Sequence, residues 1–184
     1  MTRPVPACAL TLIKRFEGLH DGDKKTPILL EPQRCPAGIY TVGWGYALFH
    51  NGQPVRDQAL AMKIWRKRWP RGFTLKDADD LLLRTAQEVC DRVCRLMLGV
   101  ELSDSELGAL VCLAYNIGVG EVGGSPDFAD SSVRRLILAG ERYAAADAFR
   151  MWRMGTVDGR KVVLQGLVNR REAERELFLT PVLP

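Results

Sequence analysis

A chain of 184 residues with 47% hydrophobic side chains is long and apolar enough for one packed domain, which argues against disorder. Lys and Arg number 26 against 22 Asp and Glu, and the resulting charge of +4 draws a protein only modestly towards anionic polymers such as cell-wall glycan, nucleic acid or a membrane surface. The five cysteines (Cys8, Cys35, Cys90, Cys94 and Cys112) are an odd set without C-x-x-C spacing, so neither a disulfide scaffold nor a zinc ribbon is indicated, and synthesis in a reducing cytoplasm is expected.

The apolar stretch from Ala7 to Ile13 is stopped by Lys14 and Arg15, too short for a membrane span and without a signal-peptide core. Ala9, Ile13 and Phe16 fall at helical spacing, which predicts a helix over 8–16 with Glu17 in its last turn and Gly18 at its C-terminus. From Leu19 to Pro36 the chain reads as a long polar surface loop with Ile28, Leu29 and Leu30 as its apolar anchor. Ile39 to Tyr46 reads as a strand with Tyr40, Val42, Trp44 and Tyr46 on one face and Thr41, Gly43 and Gly45 on the other, nearly bare face. Alternating glycines mark a place where a ligand or another backbone comes close. Asn51-Gly52 offers a tight hairpin turn, with Pro54 placing the returning strand at an edge.

Thr74 with Asp77 opens a long helix over about 75–98 that ends at Gly99, and Ser103 with Glu106 forms a capping box before a helix striped by Leu107, Leu110, Val111 and Ala114. Helical patterns follow at Ser132–Ala139, Glu141–Trp152 and Leu167–Phe178, with Asp158-Gly159 as a turn between the last two. The class is α+β: a single domain over 1–184, with a hairpin lobe over about 17–73, a connecting helix and a helical lobe over about 103–180. A cleft between the two lobes is the expected substrate site. Cys90 and Cys94 share a helix face and are read as small buried side chains rather than metal ligands. His20 and His50 have no spacing to acidic partners, so no metal site is expected.

Cleaving a glycosidic bond needs a carboxylic acid that still holds its proton near neutral pH, and a second group that activates or positions water. The last turn of a helix, at the negative end of the macrodipole, suits such an acid, and Glu17 sits there. The segments Phe16-Glu17-Gly18-Leu19 and Cys35-Pro36-Ala37-Gly38-Ile39-Tyr40-Thr41-Val42-Gly43-Trp44-Gly45 strongly resemble the phage lysozymes of glycoside hydrolase family 24. Two later segments, 114–120 and 166–174, look like parts of the same family.

The resemblance implies a lysozyme-like fold and a muramidase, needing no cofactor, that cleaves the β-1,4 bonds of peptidoglycan glycan strands in bacterial lysis. By position it makes Glu17 the general acid, puts Cys35 in the water-activating or cation-stabilising position where the family usually has Asp, and makes Thr41 the residue that helps place the water. It also gives Asn116 a substrate contact, with Gly43 and Gly45 lining the sugar. A monomer held in the host cytoplasm until lysis, reaching the wall in the periplasm with the help of a holin, is expected by the same analogy. The six-residue step from Cys35 to Thr41 fits the family, whereas the step from Glu17 to Cys35 is about twice the usual interval, so residues from about His20 to Leu30 look inserted. Asp21, Asp23 and above all Glu31 therefore stay open as sources of a second carboxylate. Tyr46 stands where the family often has His and is expected to pack. Arg170 and Arg171 either face the substrate or pair with Glu172 and Glu174 on their own helix.

A rival reading starts from Lys63, Arg66, Lys67, Arg68 and Arg71 interleaved with Trp65 and Trp69, a pattern that suits a polyanion-binding module. The preferred reading is an amphipathic segment whose Ile64, Trp65 and Trp69 cover the hairpin region while its charges stay solvated, so no nucleic-acid partner is expected. A wall-binding protein that has lost catalysis is a further alternative, prompted by Cys35 in place of Asp.

Overall fold

The computed structural model describes residues 3–21, 29–35, 37–124, 126–157 and 159–181. Its backbone divides into two compact units, Met1–Phe16 with Thr85–Pro184 and Glu17–Arg84. The first helix, α1 (Ala7–Glu17), buries Ala9, Leu12 and Ile13 and stops at Gly18, whose φ of 70° is the left-handed geometry of a helix C-terminus.

In the unit Glu17–Arg84, β1 (Gln33–Arg34), β2 (Tyr40–Val42) and β3 (Tyr46–Ala47) form an antiparallel sheet in that order. A separate hairpin pairs β4 (Phe49–His50) with β5 (Gln53–Pro54) across Asn51-Gly52, and both turn residues have positive φ (50° and 75°) as a two-residue turn demands. The strand expected over 39–46 is a hairpin instead. Gly43 and Gly45 have φ of 56° and 80°, so the alternation read as a pleat is a chain reversal between β2 and β3. β1 also lies inside the segment expected to be loop throughout; its two residues are exposed, so no apolar pattern marks it.

Asp57 caps α2 (Gln58–Arg68), its Oδ1 accepting from Leu60 N at 2.8 Å. Thr74 and Asp77 open α3 (Leu75–Leu96), with Asp77 Oδ2 accepting from Thr74 N (2.8 Å) and from the Thr74 hydroxyl (2.6 Å). Both bonds hold the Asp77 carboxyl below the usual range. Leu30, Val42, Leu48, Val55, Ala61, Trp65, Phe73, Ala78 and Leu81 make one buried cluster, with Trp69 tilted onto Phe73 at 4.5 Å between ring centres. Trp65 and Trp69 thus pack on the hairpins while Lys63, Arg66, Lys67 and Arg68 stay exposed, as the amphipathic reading expected. Tyr46 packs on the same cluster under the Arg68 guanidinium, 5.0 Å from its ring centre. Ile28, part of the expected loop anchor, lies outside the described residues, whereas Leu30 is buried.

In the other unit, α4 (Asp104–Ile117) is the core. The capping box closes as expected, with Ser103 Oγ accepting from Glu106 N (3.1 Å) and Glu106 Oε2 from Ser103 N (2.8 Å). Every residue from Leu107 to Ala114 is buried, the signature of a helix surrounded by neighbours. Gly108 permits the close packing: a Cβ there would stand 2.5 Å from Cys8 Sγ.

Ser131 caps α5 (Ser132–Leu138), which packs on α6 (Arg142–Ala148). The helix expected over 141–152 tightens into one 3-10 turn at Phe149–Met151, where Trp152 N donates to Phe149 O at 3.1 Å and the chain leaves the helix. There follows a hairpin of β6 (Met154–Val157) and β7 (Arg160–Val163) that periodicity does not reveal, because Met154, Val157, Val162 and Val163 are all exposed. The expected turn survives in Gly159 (φ 76°); Asp158 lies outside the described residues. The last helix, α7 (Gln165–Phe178), packs along α4. Helices with small antiparallel sheets make the α+β class expected from the sequence.

Buried Cys90 and half-buried Cys94 face one another along α3, and burial followed by the neighbouring thiol pushes Cys90 up to about 12. Burial likewise pushes Cys112 well above the ordinary thiol range.

Candidate active site

The unit Glu17–Arg84 gathers four of the expected site residues around His20. Glu17 ends α1 half-buried, and the β2–β3 turn lies against its carboxyl: a Cβ on Gly45 would stand 3.0 Å from Glu17 Oε2. Gly43 O accepts from His20 N at 2.7 Å, and a Cβ on Gly43 would meet Ala78 Cβ at 2.8 Å. Glycine is therefore required twice over, by its φ and by two close approaches.

Thr41 is buried, and its hydroxyl lies 2.6 Å from His20 Nδ1 and 3.2 Å from the Gln33 carbonyl oxygen. The other ring nitrogen of His20, Nε2, lies 3.3 Å from the Glu17 carbonyl oxygen. A single imidazole thus ties the end of α1, the middle of β2 and the glycine turn together. Sequence reasoning passed over His20 because a lone histidine in a polar loop carries no periodicity or partner spacing.

Cys35 follows β1, and its N–H donates to Ile39 O at 2.8 Å while its carbonyl accepts from Gly38 N at 2.8 Å. Gln33 pairs with Thr41 and Arg34 with Tyr40, and Cys35 follows immediately after this two-residue ladder. The loop ends also meet: Glu31 N donates to Asp21 Oδ1 (3.2 Å), and Asp21 N donates to Gln33 Oε1 (3.2 Å). Of the alternative carboxylates, Asp21 is committed to this closure, Glu31 is half-buried beside it, and Asp23 lies outside the described residues.

Asn116 belongs to the other unit, where it is exposed near the end of α4 and its Oδ1 accepts from Arg171 Nη2 at 3.1 Å. The alternatives left open for Arg170 and Arg171 resolve into buried pairing. Both donate to Glu174 Oε1, at 3.2 and 2.8 Å, whereas Glu172 takes Arg150 at the surface. Burial pushes the Glu174 carboxyl up and the two guanidiniums pull it back; burial also pushes the Arg171 guanidinium down.

The proximity of Gly45 to Glu17 gives an expected outcome. Gly45→Ala forces a left-handed φ on an L-residue and sets a methyl 3.0 Å from Glu17 Oε2, so the carboxylate must give by a few tenths of an ångström and turnover is expected to fall several-fold. Turnover of purified peptidoglycan by the folded variant measures it, and wild-type turnover would separate the turn from the chemistry.

The phage lysozyme family profile matches residues 15–174. The chain is 28% identical to an endolysin of Acyrthosiphon pisum secondary endosymbiont phage 1, over 92% of this chain and 93% of that one. Among solved structures it is similar to an endolysin from Escherichia coli O157:H7 phage FAHEc1, with a TM-score of 0.75 and 29% identity, covering 100% of this chain and 98% of that one. It is similar also to the muramidase domain of SpmX from Asticaccaulis excentricus, with a TM-score of 0.69 and 28% identity over 97% of this chain and 100% of that domain. With Glu17, the β2–β3 glycine turn and the Arg171–Glu174 helix all inside the matched span, the chain belongs to the phage lysozyme family.

Proposed function

We infer that this chain is a lysozyme that hydrolyses peptidoglycan at the β-1,4 bond between N-acetylmuramic acid and N-acetylglucosamine. The observation that carries the reading is the family match over 15–174, with Glu17 held at the end of α1 against Gly45 inside it. Glu17 gives its proton to the glycosidic oxygen as the bond to the anomeric carbon breaks; a water held at Thr41 adds to that carbon and loses a proton to bulk solvent, from which Glu17 is reprotonated. Gly43 and Gly45 leave the turn without side chains, so a sugar ring can approach the backbone. Asn116, its oxygen held by Arg171, offers its amide N–H groups to the glycan. The chain acts on the cell wall as a monomer, waits in the host cytoplasm until lysis and reaches the periplasm through a membrane opened by a holin.

Purified protein incubated with purified peptidoglycan tests the reading through the mass of the soluble fragments. Reducing N-acetylmuramic acid ends are expected. Anhydro ends would make it a lytic transglycosylase, and intact glycan bound to the protein would make it a wall-binding protein without catalysis.

Cys35, just beyond the strand that pairs with Thr41, stands at the position where the family usually has Asp. Cys35→Asp is expected to equal or exceed the wild-type kcat/KM on peptidoglycan, because it restores the carboxylate that the family usually has at this position. Cys35→Ala at the wild-type rate would remove Cys35 from the reaction.

A further inference from the structure

A threonine hydroxyl has one hydrogen and two lone pairs, so what it offers to a neighbouring water depends on where its hydrogen goes. At Thr41 two acceptors compete for it, His20 Nδ1 at 2.6 Å and the Gln33 carbonyl oxygen at 3.2 Å. The opposite side of the ring decides between them. Glu17 O is a carbonyl oxygen and only accepts, so Nε2 at 3.3 Å carries a hydrogen, and in a neutral imidazole Nδ1 is then the acceptor. If the ring is charged instead, Nδ1–H donates to Thr41 and the hydroxyl hydrogen turns to Gln33 O. In both states the hydrogen points into the protein.

We propose that His20 is a positioning residue for hydrolysis: by directing the Thr41 hydroxyl hydrogen inward, it makes Thr41 an acceptor towards the attacking water. A water that donates to Thr41 is turned with its lone pairs free to face the anomeric carbon; a hydroxyl hydrogen pointing outward would engage one of them and turn the water away from that alignment. The ring is itself fixed on both sides, at Glu17 O and at Thr41, and its backbone is fixed by the His20 N to Gly43 O bond of 2.7 Å. The proposal rests on Thr41 as the residue that places the water.

A double-mutant cycle on peptidoglycan hydrolysis, with kcat and KM separated, tests it. His20→Ala is expected to lower kcat about tenfold with KM nearly unchanged, the loss of one oriented hydrogen bond in the transition state. His20→Asn, whose Oδ1 can stand where Nδ1 stood, is expected to recover most of that loss. In a Thr41→Val background, His20→Ala is expected to change kcat no further. A tenfold loss that persists in that background, with no rescue by Asn, would show a merely structural role and overturn the proposal. So would a His20→Ala variant at the wild-type rate beside an impaired Thr41→Val. Thr41→Val at the wild-type rate would instead refute the role assigned to Thr41, and this proposal with it.

Discussion

Glu17→Gln is expected to lower kcat on peptidoglycan by between about 100-fold and 10,000-fold while KM and thermal stability stay near wild type. Glutamine keeps the length and the hydrogen-bonding shape of the side chain, so the glycine turn that lies against Glu17 has no reason to move. It cannot release a proton to the glycosidic oxygen, and the interaction it loses exists only as that bond breaks. A loss in kcat of this size at constant KM assigns the acid. Comparable losses in both constants would mean that Glu17 holds substrate, and unchanged turnover would send the search for the acid elsewhere in the chain.

Glu174→Ala is expected to be the most destabilising of these changes. Glu174 and Arg171 are fully buried and Arg170 nearly so, and a single carboxylate faces both guanidiniums. Among the described residues, Arg171 Nε and Nη1 and Glu174 Oε2 find no hydrogen-bond partner, so the cluster is only partly satisfied even when intact. Removing the carboxylate takes away the countercharge that the two buried guanidiniums share and should cost about 3–5 kcal/mol, a fall in Tm of roughly 6–20 °C for a domain of this size. Glu172→Ala, two residues earlier on α7, is the internal control. Its ion pair with Arg150 is at the surface, where solvent screens it, so its loss is expected to leave Tm nearly unchanged. Thermal melts of the two variants side by side distinguish the cases, and equal Tm values would refute the buried-cluster account. Exchanging Arg170, Arg171 and Glu174 together for apolar residues of similar length should return much of the stability, because the desolvation cost leaves with the charges.

The sequence made legible whatever was written in local chemistry. Ser103 with Glu106 and Thr74 with Asp77 announced two helix starts, and Asn51-Gly52 announced a turn, because each is a self-contained arrangement of donors, acceptors and allowed φ. Misreadings arose where one pattern has two geometries. Glycines at alternate positions fit a pleat or a reversal, and only the φ values of Gly43 and Gly45 tell them apart. The β6–β7 hairpin was invisible for the opposite reason, since exposed apolar residues on both strands leave no burial alternation to detect. The family pattern pointed to Glu17, Thr41 and the glycines, which meet, and the geometry added His20, whose partners are set by chain folding rather than by spacing.

The short bonds between Asp21, Glu31 and Gln33 bear on how such an enzyme diversifies. They latch Asp21 to the residues 31–33 that lead into β1, so the count of residues between them is decoupled from the placement of the acid. Each doubling of a flexible loop costs only about 0.6 kcal/mol in closure entropy, less than one well-made contact. Lineages can therefore gain or shed residues behind this latch in small, nearly neutral steps, and two relatives that differ there in length can still carry out one chemistry.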